Sequence, residues 1–335
     1  MIGFTTWVAR ATHFLFQEPT RFLTVEFHAQ VQLDTDLTIM TMQHFLTLKD
    51  LPVSDVRGIV ERATELKNDP NLAANVSRKT LGLVFEKSST RTRAAFEVAM
   101  TQMGGSSMFL KSSDSQLGRG EPIEDTSRVL SRLVDCIALR TDKHSKLENF
   151  AEHSRVPVIN ALTDEFHPCQ LLADMQTFIE KRGDISGRSV AWIGDGNNVC
   201  QSYINAAEVF NFELRISCPQ GFEPDKNLLS NNAKRVCLIK DPILAVKGTD
   251  LVVTDVWASM GQEKEQKERA SAFKNFQVTS ELMSFANKSA LFMHCLPAHR
   301  GEEVSSDVID ARDSVVWDEA ENRMHSQKAL LEFLI

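Results

Sequence analysis

Apolar residues recur at Val56, Ile59, Val60, Ala63 and Leu66, a spacing that predicts a helix over 54–67 with Ser54 as its cap. Beyond it, short apolar runs alternate with helical patterns. Runs at 81–85, 136–139 and 156–159 read as buried strands. Ala95, Phe96, Ala99, Met100 and Met103 predict a helix stopped by Gly104-Gly105. A second helix follows Pro168, carries Leu171, Leu172, Met175 and Phe178 on one face, and ends near Gly183. The stretch 181–187 is charged, holds two glycines and reads as a boundary. A new series of strands follows at 190–193, 213–217, 250–254, 290–293 and 315–317, and 329–334 reads as an amphipathic helix.

This alternation predicts an α/β fold of two domains, each a mostly parallel sheet flanked by helices, with the active site in the cleft between them. The expected boundaries are 42–182 for the first domain, 183–320 for the second, and a C-terminal helix over 321–335 that packs back on the first. Residues 1–41 lack a convincing period and hold acids beside Arg10 and Arg21, which fits neither a transit peptide nor a secretory signal. They are expected to be a disordered extension or, with Met40 and Met42 directly before the first domain, a stretch not natively translated.

Polar residues cluster at the ends of the strands. Phe85 leads into Glu86-Lys87-Ser88-Ser89-Thr90-Arg91-Thr92-Arg93, which places hydroxyls, guanidinium groups and helix N–H donors at one point. That combination suits a phosphate or similar anion better than a plain helix cap. Two arginines two positions apart do not share a helix face. Arg91 is therefore expected on the ligand and Arg93 in a structural ion pair. His167-Pro168-Cys169-Gln170 sits at a helix start, and the residues alone leave His167 open between a cap and a donor to a carbonyl. Gly194-Asp195-Gly196-Asn197-Asn198 begins like a dinucleotide loop, but Val199 stands where a third glycine is needed. Asn198 as an amide ligand for an amino-acid substrate is the better use. Asp255, opening Asp255-Val256-Trp257-Ala258-Ser259-Met260-Gly261, reads on spacing alone as the cap of a turn. His294-Cys295-Leu296-Pro297 ends an apolar strand. Neighbours on a strand face opposite ways, so His294 is poorly placed to activate Cys295, which reads as a structural thiol.

Composition narrows the class. Over 335 residues the formal net charge is −8, with no basic stripe for a nucleic-acid backbone. No apolar run is long enough to span a membrane. The six cysteines form no C-x-x-C pair and no histidine cluster has metal-ligand spacing, so reduced thiols in a cytoplasmic compartment are expected.

Taken in order, these motifs resemble the ornithine carbamoyltransferase branch of the aspartate/ornithine transcarbamylase family, over about residues 41–335. Ser-Thr-Arg-Thr-Arg at 89–93 resembles the shared carbamoyl phosphate signature, whereas 255–261 and 294–297 have the ornithine-branch form. The resemblance implies transfer of the carbamoyl group of carbamoyl phosphate to the δ-amine of L-ornithine, giving L-citrulline and phosphate in arginine biosynthesis. It implies no metal or organic cofactor and no nucleic-acid or membrane partner. It implies that Ser89, Thr90, Arg91, Thr92, Gln116, Pro168, Cys169, Gln170, Leu296 and Arg323 bind carbamoyl phosphate together with the catalytic Arg140, His167 and Cys295. Asn198, Asp255, Ser259 and Met260 would bind ornithine, and Gln116 would reach the site across the interface of a homotrimer or a multiple of trimers. Rival acceptors are acetylornithine, succinylornithine, putrescine and aspartate, and the rival of another class is a non-catalytic amino-acid or phosphate-binding protein.

Overall fold

The computed structural model describes residues 42–111, 120–258 and 266–335. The expectations for 1–41, Gln116, Ser259 and Met260 lie outside these residues.

The first lobe runs α1 (Val53–Asn68), β1 (Thr80–Phe85), α2 (Arg91–Gln102), β2 (Ser106–Lys111), α3 (Ile123–Leu130), β3 (Cys136–Arg140), α4 (His144–Glu152), β4 (Val158–Leu162) and α5 (Pro168–Arg182). The second runs β5 (Ser189–Ile193), α6 (Asn198–Phe210), β6 (Glu213–Ser217), α7 (Lys226–Asn231), β7 (Val236–Leu238), α8 (Pro242–Val246), β8 (Leu251–Thr254), α9 (Gln266–Ala272), α10 (Ser280–Met283), β9 (Leu291–His294), α11 (Ser306–Ile309) and α12 (Val316–Leu334). Both sheets are parallel, in the orders β2-β1-β3-β4 and β7-β6-β5-β8-β9. Parallel strands covered on both faces need continuous apolar runs, and β3, β5, β8 and β9 are buried almost end to end.

In each sheet the chain changes direction of winding beside its first strand, between β1 and β3 and between β5 and β8. Crevices open at the carboxyl ends of strands at such points. Here those ends deliver residues 86–92 and Arg140 from one sheet, and 194–198 and Asp255 from the other.

Helix α5 links the lobes, and every residue from Pro168 to Phe178 is buried. Pro168 occupies its first turn, and Gly183, at φ 78°, ends it in a conformation that favours glycine. One apolar core continues through Phe96, Met175, Phe178, Trp192, Tyr203 and Leu330, so α5 is packed from both sides.

Several expectations need correction. Helix α1 begins at Val53 after Pro52, and the Ser54 hydroxyl bonds the Asp55 carboxylate rather than capping the helix. Strand β4 lies two to three residues later than the expected 156–159. Residues 315–317 are not a strand: Val315 N–H donates to the Phe292 carbonyl at 3.0 Å, and the chain then turns directly into α12. The C-terminal helix therefore starts at Val316, not 321, and it packs against α1, α2 and α5.

Candidate active site

Residues 87–92 leave the end of β1 and enter α2 with Arg91 as its first residue. The Thr92 N–H donates to the Ser89 hydroxyl at 3.3 Å, so Ser89 does part of a cap's work while Thr90 makes no capping bond. Arg91 and Arg93 diverge. Arg93 pairs with Glu97 at 2.9 Å and stacks 3.7 Å over the Phe109 ring. Arg91 turns to the cleft, where its Nη2 donates to the Leu296 carbonyl at 2.7 Å.

A cleft of about 390 Å³ collects Ser89, Thr90, Arg91, Thr92, Arg140, His167, Gln170, Asn198, Asp255, Cys295, Leu296 and Arg323. Pro168 and Cys169 are buried just beneath it at the start of α5, and the Cys169 thiol donates to the Asn160 carbonyl at 3.3 Å. Lys87, Asp164, Val199 and Pro297 also line the cleft, and none of them was among the expected ligand residues.

One wall is strongly cationic. The Arg140 side chain is buried and makes no hydrogen bond among the described residues. Burial first, then the Arg323 and Arg91 charges, bring its guanidinium down to about 10, still cationic at neutral pH. Arg323 donates to Gln170 Oε1 and to Thr92 Oγ1, both at 2.7 Å. Thr92 accepts that bond and so keeps its own O–H to donate elsewhere. Burial, with the Arg323 and Arg140 charges added, pushes His167 well below its ordinary value, so its ring is neutral near pH 7. His167 Nδ1 is buried without a partner among the described residues, while its backbone N–H is held by the Ser202 hydroxyl at 2.7 Å.

Behind this wall lie two buried acids. Gln170 Nε2 donates to Asp174 Oδ1 and Glu319 Oε1, both at 2.8 Å. Tyr203 donates to Asp174 Oδ2 at 2.8 Å and the His294 N–H to Glu319 Oε2 at 3.0 Å. Burial raises both carboxyls, Asp174 to about 6, and Glu319 further because the neighbouring Asp174 adds to its rise. The stable state of such a pair holds one proton between them.

The opposite wall carries Asp255. Its Oδ1 accepts from the Val256 N–H at 2.8 Å and the Cys295 thiol at 3.1 Å, and its Oδ2 accepts from Asn197 Nδ2 at 2.7 Å. Asn197 also caps α6 through Val199 and Cys200 N–H. Asn198 donates to the Thr163 carbonyl at 2.7 Å, bridging the lobes. Gly196 has no room for a side chain: a Cβ there would fall 2.3 Å from the Pro224 nitrogen. Asp195 pairs with Arg269 at 3.0 Å, yet burial outweighs that cation and lifts the carboxyl to about 6. The loop thus serves packing and the cleft wall rather than a pyrophosphate.

His294 and Cys295 do not pair with each other: the thiol donates to Asp255 and the ring has other partners. His294 Nε2 donates to Glu303 Oε1 at 3.0 Å, and its Nδ1 accepts the Leu296 N–H at 2.9 Å. Leu296 is held at φ 58°, an uncommon conformation for a leucine, and this aims its carbonyl at Arg91. Asp255, His294 and Cys295 bring ligand-type atoms within 4.8 Å of one another, but both His294 ring nitrogens are already engaged. Burial and the adjacent Asp255 push the Cys295 thiol well above its ordinary value. It is a neutral donor, not a thiolate.

Comparison with known proteins places this cleft in context. Residues 43–180 match the carbamoyl-P binding domain of aspartate/ornithine carbamoyltransferases, and residues 186–334 match the Asp/Orn binding domain. The ornithine carbamoyltransferase of Methylococcus capsulatus is 62% identical over 88% of this chain and 99% of its own. An anabolic ornithine carbamoyltransferase of Pseudomonas savastanoi pv. phaseolicola is 54% identical over 88% of this chain and 98% of its own. The crystal structure of ornithine carbamoyltransferase from Burkholderia thailandensis superposes with a TM-score of 0.81 at 48% identity, covering 88% of this chain and 98% of that one. The chain belongs to the aspartate/ornithine carbamoyltransferase family.

Proposed function

We propose that the protein transfers the carbamoyl group of carbamoyl phosphate to the δ-amine of L-ornithine, giving L-citrulline and phosphate. The observation that carries this reading is the polarity of the cleft: Arg91, Arg140 and Arg323 converge on one side and the Asp255 carboxylate stands on the other. A dianionic acyl phosphate suits the first wall and an ammonium the second.

Ser89, Thr90, Arg91 and Thr92 bind the phosphate. Arg140 and neutral His167 aim donors at the carbonyl oxygen, where charge develops as the amine adds. Gln170 Oε1, which already accepts one bond from Arg323, has a second lone pair for the carbamoyl NH2 group. Asp255 takes the α-ammonium of ornithine, Asn198 lines the same cleft, and Ser259 and Met260 complete the ornithine-binding set. The deprotonated δ-amine forms the new C–N bond, the C–O bond to phosphate breaks, and the amine proton leaves with the departing phosphate. Preorganised donors and the holding of both substrates together supply the acceleration.

The similarity to an enzyme named as anabolic favours arginine biosynthesis as the setting. A homotrimer with Gln116 contributed by the neighbouring subunit is part of the same proposal, as is a cytoplasmic location, which the six free cysteines favour.

The deciding experiment compares citrulline formation from ornithine with carbamoylation of acetylornithine, succinylornithine, putrescine and aspartate under identical conditions. Ornithine is expected to give the highest kcat/KM, and preference for any other acceptor would overturn the assignment. The state of Cys295 supports a second expectation. Cys295→Ser keeps a donor to Asp255 and is expected to lower kcat by about tenfold or less. Complete loss of turnover in that variant would instead mark the thiol as a nucleophile.

A further inference from the structure

We propose that Asp174 and Glu319 are positioning residues that lock the Gln170 amide with its oxygen toward the substrate, and that this lock selects an acyl phosphate bearing an NH2 group over one bearing a methyl group. The inference rests on the carbamoyl transfer reading above and assigns a task to two buried acids that touch no substrate.

Gln170, Asp174 and Glu319 are each at most 1% exposed, so water does not compete for their bonds. Both hydrogens of Gln170 Nε2 are taken, one by each carboxyl. Its oxygen faces the Arg323 guanidinium at 2.7 Å. Rotating the amide by half a turn would set the oxygen against two carboxyl groups and the NH2 against a guanidinium. The guanidinium and the ionised carboxyl of the pair both oppose the flipped form. The acids are themselves fixed from behind, Asp174 by Tyr203 on α6 and Glu319 by the end of β9. The amide orientation is thus set by both lobes at once.

The consequence is chemical selectivity. An amide oxygen in the cleft accepts from a carbamoyl NH2, which a methyl group of the same size cannot supply. A site built to accept a substrate N–H leaves its own acceptor poorly satisfied when the analogue lacks it. With the amide free to turn, the cleft would present NH2 or oxygen in turn and the distinction would fade.

The test compares dissociation constants of carbamoyl phosphate, acetyl phosphate and inorganic phosphate for the full chain and for Asp174→Ala, Glu319→Ala and Asp174→Asn. The unaltered protein is expected to prefer carbamoyl phosphate over acetyl phosphate by roughly a hundredfold. Each alanine variant is expected to reduce that ratio about tenfold, with inorganic phosphate affinity unchanged. Asp174→Asn still offers an oxygen to Gln170 and can donate to the Tyr203 oxygen, so it is expected to keep the ratio. An unaltered ratio in both alanine variants would overturn the proposal. So would a loss of phosphate affinity in parallel with the ratio, because the pair would then be merely structural. Absence of discrimination in the unaltered protein would instead strike the carbamoyl transfer reading itself.

Discussion

Arg91→Ala is expected to cut kcat/KM for carbamoyl phosphate by roughly 10³-fold while the protein stays folded. Arg91 is the first residue of α2, and its guanidinium stands with those of Arg140 and Arg323 around one cleft. The three repel one another, and the Arg323 and Arg91 charges help to lower Arg140. A bound dianion offsets that repulsion, so removing one cation costs binding more than it costs the free protein. Truncating one partner of a desolvated charge pair costs about 2–5 kcal/mol. The loss to folding is smaller. The Leu296 carbonyl gives up one donor, about 1 kcal/mol, and some repulsion is relieved. Thermal melting and titration with inorganic phosphate separate the two effects. A lower Tm with unchanged affinity would mean that the serine–threonine–arginine run only starts a helix. Arg91→Lys keeps the charge but not the two-pronged geometry, and it is expected to recover only part of the loss.

The buried strands were legible because a parallel sheet demands unbroken apolar runs, as at Leu83-Val84-Phe85 and Leu251-Val252-Val253. Strand β2 was not, because an edge strand of half-exposed residues has neither a continuous apolar run nor a clean alternation. Strand β7 is three residues long, too short for any period to show. Residues 315–317 misled for the opposite reason. Two valines and a tryptophan have strong strand propensity, yet only Val315 reaches β9 before the helical pattern of α12 takes over. The cleft itself was legible where chemistry concentrates in a short run, as at 87–93 and 294–297. Asp174 and Glu319 carried one faint signal, an acid between Ala173 and Met175 on an otherwise apolar stretch of helix. Their joint hold on Gln170 brings together residues 149 positions apart, which only the packing of α12 against α5 creates.

Asp255→Asn is expected to lower kcat/KM for ornithine by about 10²- to 10³-fold and to leave carbamoyl phosphate affinity within about twofold. A carboxylate offers about four acceptor positions. Asn197, Val256 and Cys295 occupy three of them here. Among the described residues one position is left over, on a side chain that lines the cleft, and it offers a seat for an ammonium. Asparagine removes the charge that draws the ammonium in. It also turns one acceptor into an NH2 group, which must then face the amide of Asn197 or the N–H of Val256. The loop therefore loses both its attraction and some of its order, and both losses fall on the acceptor side. In the proposed reading residues 89–92 of the other lobe bind the phosphate of carbamoyl phosphate, so its affinity reports whether the damage has spread. Equal losses for the two substrates would mean that Asp255 builds the loop rather than binding the amino acid. A loss confined to ornithine, restored in no part by longer amines without an α-ammonium, would tie the carboxylate to that group.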